Sequence, residues 1–313
     1  MDRLFFVVLG MHVLKRGSDR GFVLIVVIWF AALLALLAVG FSSAVRANLR
    51  LTSSAVQGAK AEALADAGVE LAVLSLMAGG PERRFPIDGS LRLCSMRGLG
   101  VVGLRIQDTG GRVSLNLASE RMLQALFIGL GAERDAASTM SDTILDYRDA
   151  DSNRRPNGAE NPEYLAAGRA LGPKNAPFDT VEELNQVLGI DPARVALAMP
   201  HLTVHSQTAG LDPRTATRDL AAILSRGGDQ LPARMGAATA MSAGMPAEFI
   251  TNSPQKVFWV ASEARLENGA LFVREAVVEL QSTRTATPLY KMWKRGTSTG
   301  GEVGPAGAEV PPC

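Results

Sequence analysis

Two cysteines, three histidines, three tyrosines and three tryptophans in 313 residues leave little material for several kinds of protein. Two cysteines do not make a disulfide scaffold. Cys94 and Cys313 form the one available pair, which an oxidising compartment permits without requiring. Holding Cys313 against a domain would order a Gly/Pro-rich tail at an entropic cost. His12 lies near the amino end, and His201 and His205 stand four apart in HLTVH, which reads as extended and lacks the internal glutamate of a helical zinc-protease motif. Excess charge of one sign is missing too: 32 basic and 31 acidic residues give a net charge of +1, so nothing global points to nucleic acid. What imbalance exists is local, with four basic and two acidic residues among the first 21.

Catalytic patterns are equally sparse. Gly98-Leu99-Gly100-Val101-Val102-Gly103 matches a dinucleotide fingerprint formally, but a strand-like run follows where a helix should open. Ser242 sits in Ala-Met-Ser-Ala-Gly, without the first glycine or the leading strand of a nucleophile elbow. The expectation is a chain that is not an enzyme.

A long hydrophobic run is present. Phe22 to Phe41 reads FVLIVVIWFAALLALLAVGF, without a charge and long enough for a hydrocarbon core of about 30 Å. Lys15, Arg16 and Arg20 precede it, which by the positive-inside tendency puts the amino end in the cytoplasm and the bulk outside. The run passes without a proline into SSAVRANLRLTSSAVQGAKAEALADAGVELAVLSLM, rich in helix formers, with apolar residues recurring at helical spacing. One helix is expected from Phe22 to Met77, ended by Gly79-Gly80-Pro81.

Arg20-Gly21 followed by Phe22-Val23-Leu24-Ile25 resembles the leader junction of type IV pilins and pseudopilins. The resemblance implies a prepilin peptidase that cuts between Gly21 and Phe22, leaving Phe22 as a methylated first residue. Met11 would then begin a leader of more ordinary length than Met1 does. Most pilins place a glutamate at the fifth mature position; here it is Val26, a departure typical of the K class of minor pseudopilins. A plain signal-anchor helix would also lack that glutamate.

Downstream, 101–108 and 112–116 read as two strands of a hairpin across Gly110-Gly111. Ser119 can cap a helix beginning at Glu120, and further helices are expected at 133–147, 180–188 and 192–199. The runs 257–266 and 270–280 flank Glu267-Asn268-Gly269, a strong hairpin signal. Beyond Gly296 the tail has too few large apolar residues to pack.

The order is similar to K-class pseudopilins: an α+β, type IV pilin-like fold with a long transmembrane helix, an antiparallel sheet and a large inserted helical domain. Matching pieces are the run from Asp108 to Asn116, LDYRDAD from Leu145, Gly158-Ala159-Glu160 with Tyr164, and Asn175-Ala176-Pro177-Phe178 leading to Val181-Glu182-Glu183-Leu184. The implied layout is a leader at 1–21, the long helix at 22–78, pilin-like strands at 79–117, the helical insertion at 118–206, its remainder with the last strands at 207–295, and a disordered tail at 296–313.

Asp149, Asp151, Asn153 and Glu160 fall at positions 1, 3, 5 and 12 of a calcium loop, where alternate oxygens and a final glutamate suit a hard cation. Arg154 holds the place of the turn glycine, so a true EF-hand is not expected. The resemblance also implies calcium in this region, with Asp149, Asp151 and Glu160 as ligands and Asn153 and Asn161 secondary. The alternative is a solvated acidic loop. Residues 181–195 resemble a helix-hairpin-helix, but Glu182, Glu183 and Asp191 repel the phosphates such a motif would bind.

The resemblance implies a minor pseudopilin of the type II secretion system that caps the pseudopilus tip and helps start its assembly. Its expected partners are the I- and J-class minor pseudopilins, prepilin peptidase and the bacterial inner membrane, with the bulk periplasmic and no nucleic acid bound. Two alternatives remain open here: a membrane-anchored DNA-uptake protein using 181–195, and a signal-anchored periplasmic enzyme.

Overall fold

The computed structural model describes residues 20–78, 84–96, 98–231, 241–242, 245–281, 287–298 and 310–313. The leader up to residue 19, the expected breaker Gly79-Gly80-Pro81 and residues 299–309 of the tail lie outside them.

The first element, α1, runs Arg20–Ala78. The chain divides after Val56 into two compact units. In the first, Phe22–Ser42 is long and apolar enough to cross a membrane, and none of its large apolar side chains is buried.

In the second unit, the rest of α1 turns a small-residue face inward. Ala61, Leu64, Ala65, Val69, Ala72, Val73 and Leu76 recur at spacings of three and four and are buried. They pack on a five-stranded antiparallel sheet of β1 (Arg92–Met96), β2 (Gly100–Asp108), β7 (Val257–Leu266), β8 (Leu271–Glu279) and β9 (Leu289–Arg295), in the order β1-β2-β7-β8-β9. The alternation of the strands sends Val102, Leu104, Ile106, Phe258, Val260, Ala276 and Val278 to the helix side. Gly68 permits the close approach: a Cβ there would lie 2.2 Å from Ser262 Oγ. Arg274 of β8 secures it, pairing with Asp66 and Glu62 of α1 at 2.6 Å each.

A second core fills the residues between β2 and β7. It is built from α2 (Glu120–Gly129), α3 (Arg134–Arg148), the short α4 (Asn161–Ala166), a 3-10 turn at Val181–Gln186, α5 (Pro192–Ala198) and α6 (Arg218–Asp229). Ser119 and Thr217 cap α2 and α6 by accepting from Met122 N and Leu220 N. The small pairs β3 (Val113–Ser114) with β4 (Leu202–Thr203) and β5 (Met241–Ser242) with β6 (Met245–Pro246) complete it.

Helices α2 and α6 cross with almost no separation. A Cβ on Gly227 would stand 1.8 Å from the Ala125 carbonyl oxygen, and one on Gly129 would stand 2.1 Å from that of Ile223. Alanine for glycine inside a helix ordinarily stabilises by about 1 kcal/mol. Here the helices would have to part, so Gly227→Ala is expected to destabilise by about 1–3 kcal/mol. Thermal unfolding of the full chain in detergent reads this; a raised midpoint would contradict the close crossing.

The sequence expectations need three corrections. The strand at 113–114 does not return along β2 as a hairpin: β2 pairs with β1 and β7, while β3 pairs parallel with β4. Asp108 causes the diversion, accepting from Gly110 N to close a 3-10 turn at Thr109–Gly111 that leads the chain out of the sheet. The region expected as a helix at 180–188 is 3-10 over 181–186 and stops before Gly189, at φ 82°. Finally, the tail does not stay unpacked to its end. Residues 310–313 run alongside β1, with Ser95 N donating to Pro311 O (2.8 Å), Cys313 N donating to Ser95 O (3.0 Å), and Cys94 bonded to Cys313. Arg84 adds guanidinium bonds to the carbonyls of Pro312 and Cys313. A covalent bond with edge-strand pairing outweighs the entropy of ordering four residues.

Candidate functional site: an apolar helix and a buried acidic loop

Two features are placed to act on other molecules. The first is the amino-terminal part of α1. Gly21 lies within it, Phe22 is 70% exposed, and Val26 presents an aliphatic side chain where a carboxylate would have stood.

The second is the loop after α3. Asp142, Asp146 and Asp149 follow at spacings of four and three along one face of α3 and its end, so the helix stacks three carboxylates above the loop. Asp146 is wholly buried and Asp142 nearly so. Backbone donors hold them: Arg155 N reaches Asp146 Oδ2 (3.2 Å) and Asn157 N reaches Asp142 Oδ2 (3.0 Å). Gly158 is required here, because a Cβ would fall 2.0 Å from Asp146 Oδ2. Arg155 lies 3.4 Å from Asp146 and 3.9 Å from Asp149, giving the cluster partial compensation.

Glu160 closes the loop and is 3% exposed, yet neither carboxylate oxygen has a hydrogen-bond partner; Asp149 Oδ1 is likewise buried and unpartnered. Burial first, and then the charges of Asp146, Asp149, Asp151 and Glu163, push Glu160 up to about 6. Asp146 and Asp149 are also raised, chiefly by burial. Uncompensated buried carboxylates are costly, and bare oxygens beside like charges suit a hard cation.

Of the five residues read from the sequence as ligands, Asp149, Asp151 and Glu160 share one electrostatic environment. Asn153 is exposed and its backbone N donates to Asp151 Oδ1 (2.8 Å). Asn161 is exposed at the start of α4, and its Oδ1 crowds Gly172, 1.7 Å from where a Cβ would be. Asp146 was not among the expected ligands; its spacing to Asp142 and Asp149 on α3 was the available signal. Among the described residues, no three acidic, histidine or cysteine side chains already converge as a metal site. The donor chemistry fits calcium.

The other sequence motifs resolve into structure. Gly100 to Gly103 lie inside β2, with no helix to cradle a phosphate. Asp191 caps α5 by accepting from Arg194 N, so its own carboxylate fills the place a DNA phosphate would take. Glu182 and Glu183 are paired with Lys294 (2.5 Å) and Lys174 (2.9 Å). Burial lowers the pKa of His201 and His205; His201 faces Asp219 at 3.8 Å.

An apolar amino-terminal helix whose continuation packs on an antiparallel sheet, with a helical insertion between β2 and β7, defines a pilin-like α+β fold. Residues 103–207 match the family model for type II secretion system (T2SS), protein K. The fold resembles a chain in the crystal structure of the GspK-GspI-GspJ complex from the type 2 secretion system of enterotoxigenic Escherichia coli. That similarity has a TM-score of 0.56 and 18% identity, covering 81% of this chain and 99% of the other. Comparison with curated proteins finds no match. Over residues 103–207, about a third of its length, the chain is thus similar to the type II secretion system protein K family.

Proposed function

We propose that this chain is a minor pseudopilin, cut by prepilin peptidase between Gly21 and Phe22, methylated on Phe22, and held in the inner membrane by Phe22–Ser42, with the sheet and helical domain in the periplasm. There it joins the I- and J-class minor pseudopilins and caps the pseudopilus tip. The observation that carries this reading is Val26 on a fully exposed apolar helix. A carboxylate in lipid is costly and would seek the amino terminus of a neighbouring subunit; a subunit without one need not dock beneath another. The complex of GspK with GspI and GspJ supports the choice of partners. The role is structural: the inserted helical domain blocks addition of a further subunit above. Raising the dose of this chain in a strain that overproduces pseudopili should shorten the filaments, and unchanged lengths would contradict a cap.

The acidic loop is proposed to bind calcium through Asp149, Asp151 and Glu160, with Asn153 and Asn161 secondary. Bound calcium supplies positive charge to the buried oxygens, whereas the protein's part is to hold Asp146 and Asp149 beneath Glu160. Because the folded pKa of Glu160 is raised to about 6, its contribution without calcium is most favourable below its unfolded pKa and is lost as pH rises through about 6. The calcium-free protein should therefore lose thermal stability between about pH 4.5 and 7. At neutral pH, calcium at about 100 times its Kd should restore about 2.7 kcal/mol. Calorimetry on the full chain checks the site: Glu160→Gln should weaken binding at least tenfold, and no heat from wild type at millimolar calcium removes it.

A further inference from the structure

Arg46 and Arg50 lie just beyond the apolar span, which ends at Ser42. Both are exposed. From Arg20 to Ala61 the chain contains no aspartate or glutamate, and neither arginine forms an ion pair with a described residue. Four residues apart on α1, they share one helix face, where two like charges without a counter-charge disfavour the helix. Basic residues are also under-represented on the exported side of a span. Two unpaired arginines there call for an anion from outside the chain.

The geometry limits which anion is within reach. At 1.5 Å per residue the two Cα atoms stand about 6 and 12 Å past the end of the span. Helical side chains lean toward the helix amino end, which here is toward the bilayer, and arginine can lay its stem along apolar surface while its guanidinium stays in the polar layer. The headgroup layer is roughly 5–8 Å deep on each side. Arg46 lies within that depth and Arg50 reaches back to it. The planar guanidinium fork matches phosphate in a bidentate manner.

We propose that Arg46 and Arg50 form a clamp for the phosphate of anionic phospholipid in the outer leaflet, setting the depth of α1. The proposal rests on Phe22–Ser42 spanning the membrane. Its test is native mass spectrometry of the full chain from detergent micelles carrying phosphatidylglycerol or phosphatidylcholine. Wild type should retain phosphatidylglycerol in preference. At about fivefold per arginine, R46Q/R50Q should weaken that retention about 25-fold, with the helical circular dichroism unchanged, and R46K/R50K should fall between. Equal retention of the two lipids, or equal phosphatidylglycerol retention by wild type and R46Q/R50Q, overturns the clamp. So does loss of co-purifying pseudopilins from R46Q/R50Q with lipid retention intact, which would assign the arginines to an acidic protein surface. Carbonate extraction separates this from the underlying reading. Release of the chain from membranes overturns the span and the clamp together, while a retained chain with lipid-blind arginines overturns the clamp alone.

Discussion

Asp212→Ala is expected to cost about 3 kcal/mol of folding stability, whereas Arg214→Ala, removing the other half of the same ion pair, should cost about 1 kcal/mol or less. The asymmetry follows from exposure. The Asp212 side chain is fully buried, while that of Arg214 is 60% exposed and returns to water on unpairing. Asp212 accepts from Ser253 N (2.9 Å), Arg214 N (3.0 Å) and the Arg214 guanidinium (2.6 Å), and its own N donates to Gly110 O (2.8 Å). It thus ties the turn after β2, the approach to α6 and the approach to β7 into one joint between the sheet and the helical insertion. Burial pushes the Asp212 carboxyl up, but hydrogen bonds from Arg214 and Ser253 outweigh it and hold its pKa below the usual carboxylate range. The folded pKa is depressed, so this contribution is present above the unfolded value and disappears as pH falls through the folded one. Thermal unfolding of both variants at neutral pH would decide the matter; equal losses would contradict the joint.

Cys94→Ser should destabilise the chain by about 2–4 kcal/mol, and reduction of the wild type should do the same. The bridge closes a loop of 219 residues, so the unfolded chain loses much freedom by it. It also holds residues 311–313 on the β1 edge; without it four residues must pay their own ordering entropy. A fall in melting temperature of about 5–15 °C is expected, with faster hydrogen exchange at Ser95 N. A midpoint indifferent to reductant would show that the edge pairing survives alone.

These two joints were the least legible parts of the chain. Asp212 carries no motif, and its partners lie 41 and 102 residues away at Ser253 and Gly110. The tail's composition hid a bond that long-range geometry makes. Strand β1, RLCSM, lacks apolar alternation, and α6 carries Gly227 and Gly228, which depress helix propensity although both are needed for packing. By contrast, α1 announced itself through an uninterrupted apolar run, and Asn268-Gly269 marked the β7–β8 turn, where Gly269 has φ 86°. The Ser119 cap was equally plain, because a local hydrogen bond to Met122 N needs no distant partner. In the acidic loop, spacing put Asp149, Asp151 and Glu160 in one segment but gave no sign of the depth at which Glu160 is buried, since burial depends on α3 and α4 closing over it. Asp146 escaped for the same reason.

The central claim is that this chain enters the secretion machinery as a processed pseudopilin, and its amino terminus tests that claim most directly. Mass spectrometry of the protein from its host, with and without prepilin peptidase, should find a methylated Phe22 only when the peptidase is present. An uncut leader, or a cut elsewhere, would contradict the account and make α1 an ordinary anchor.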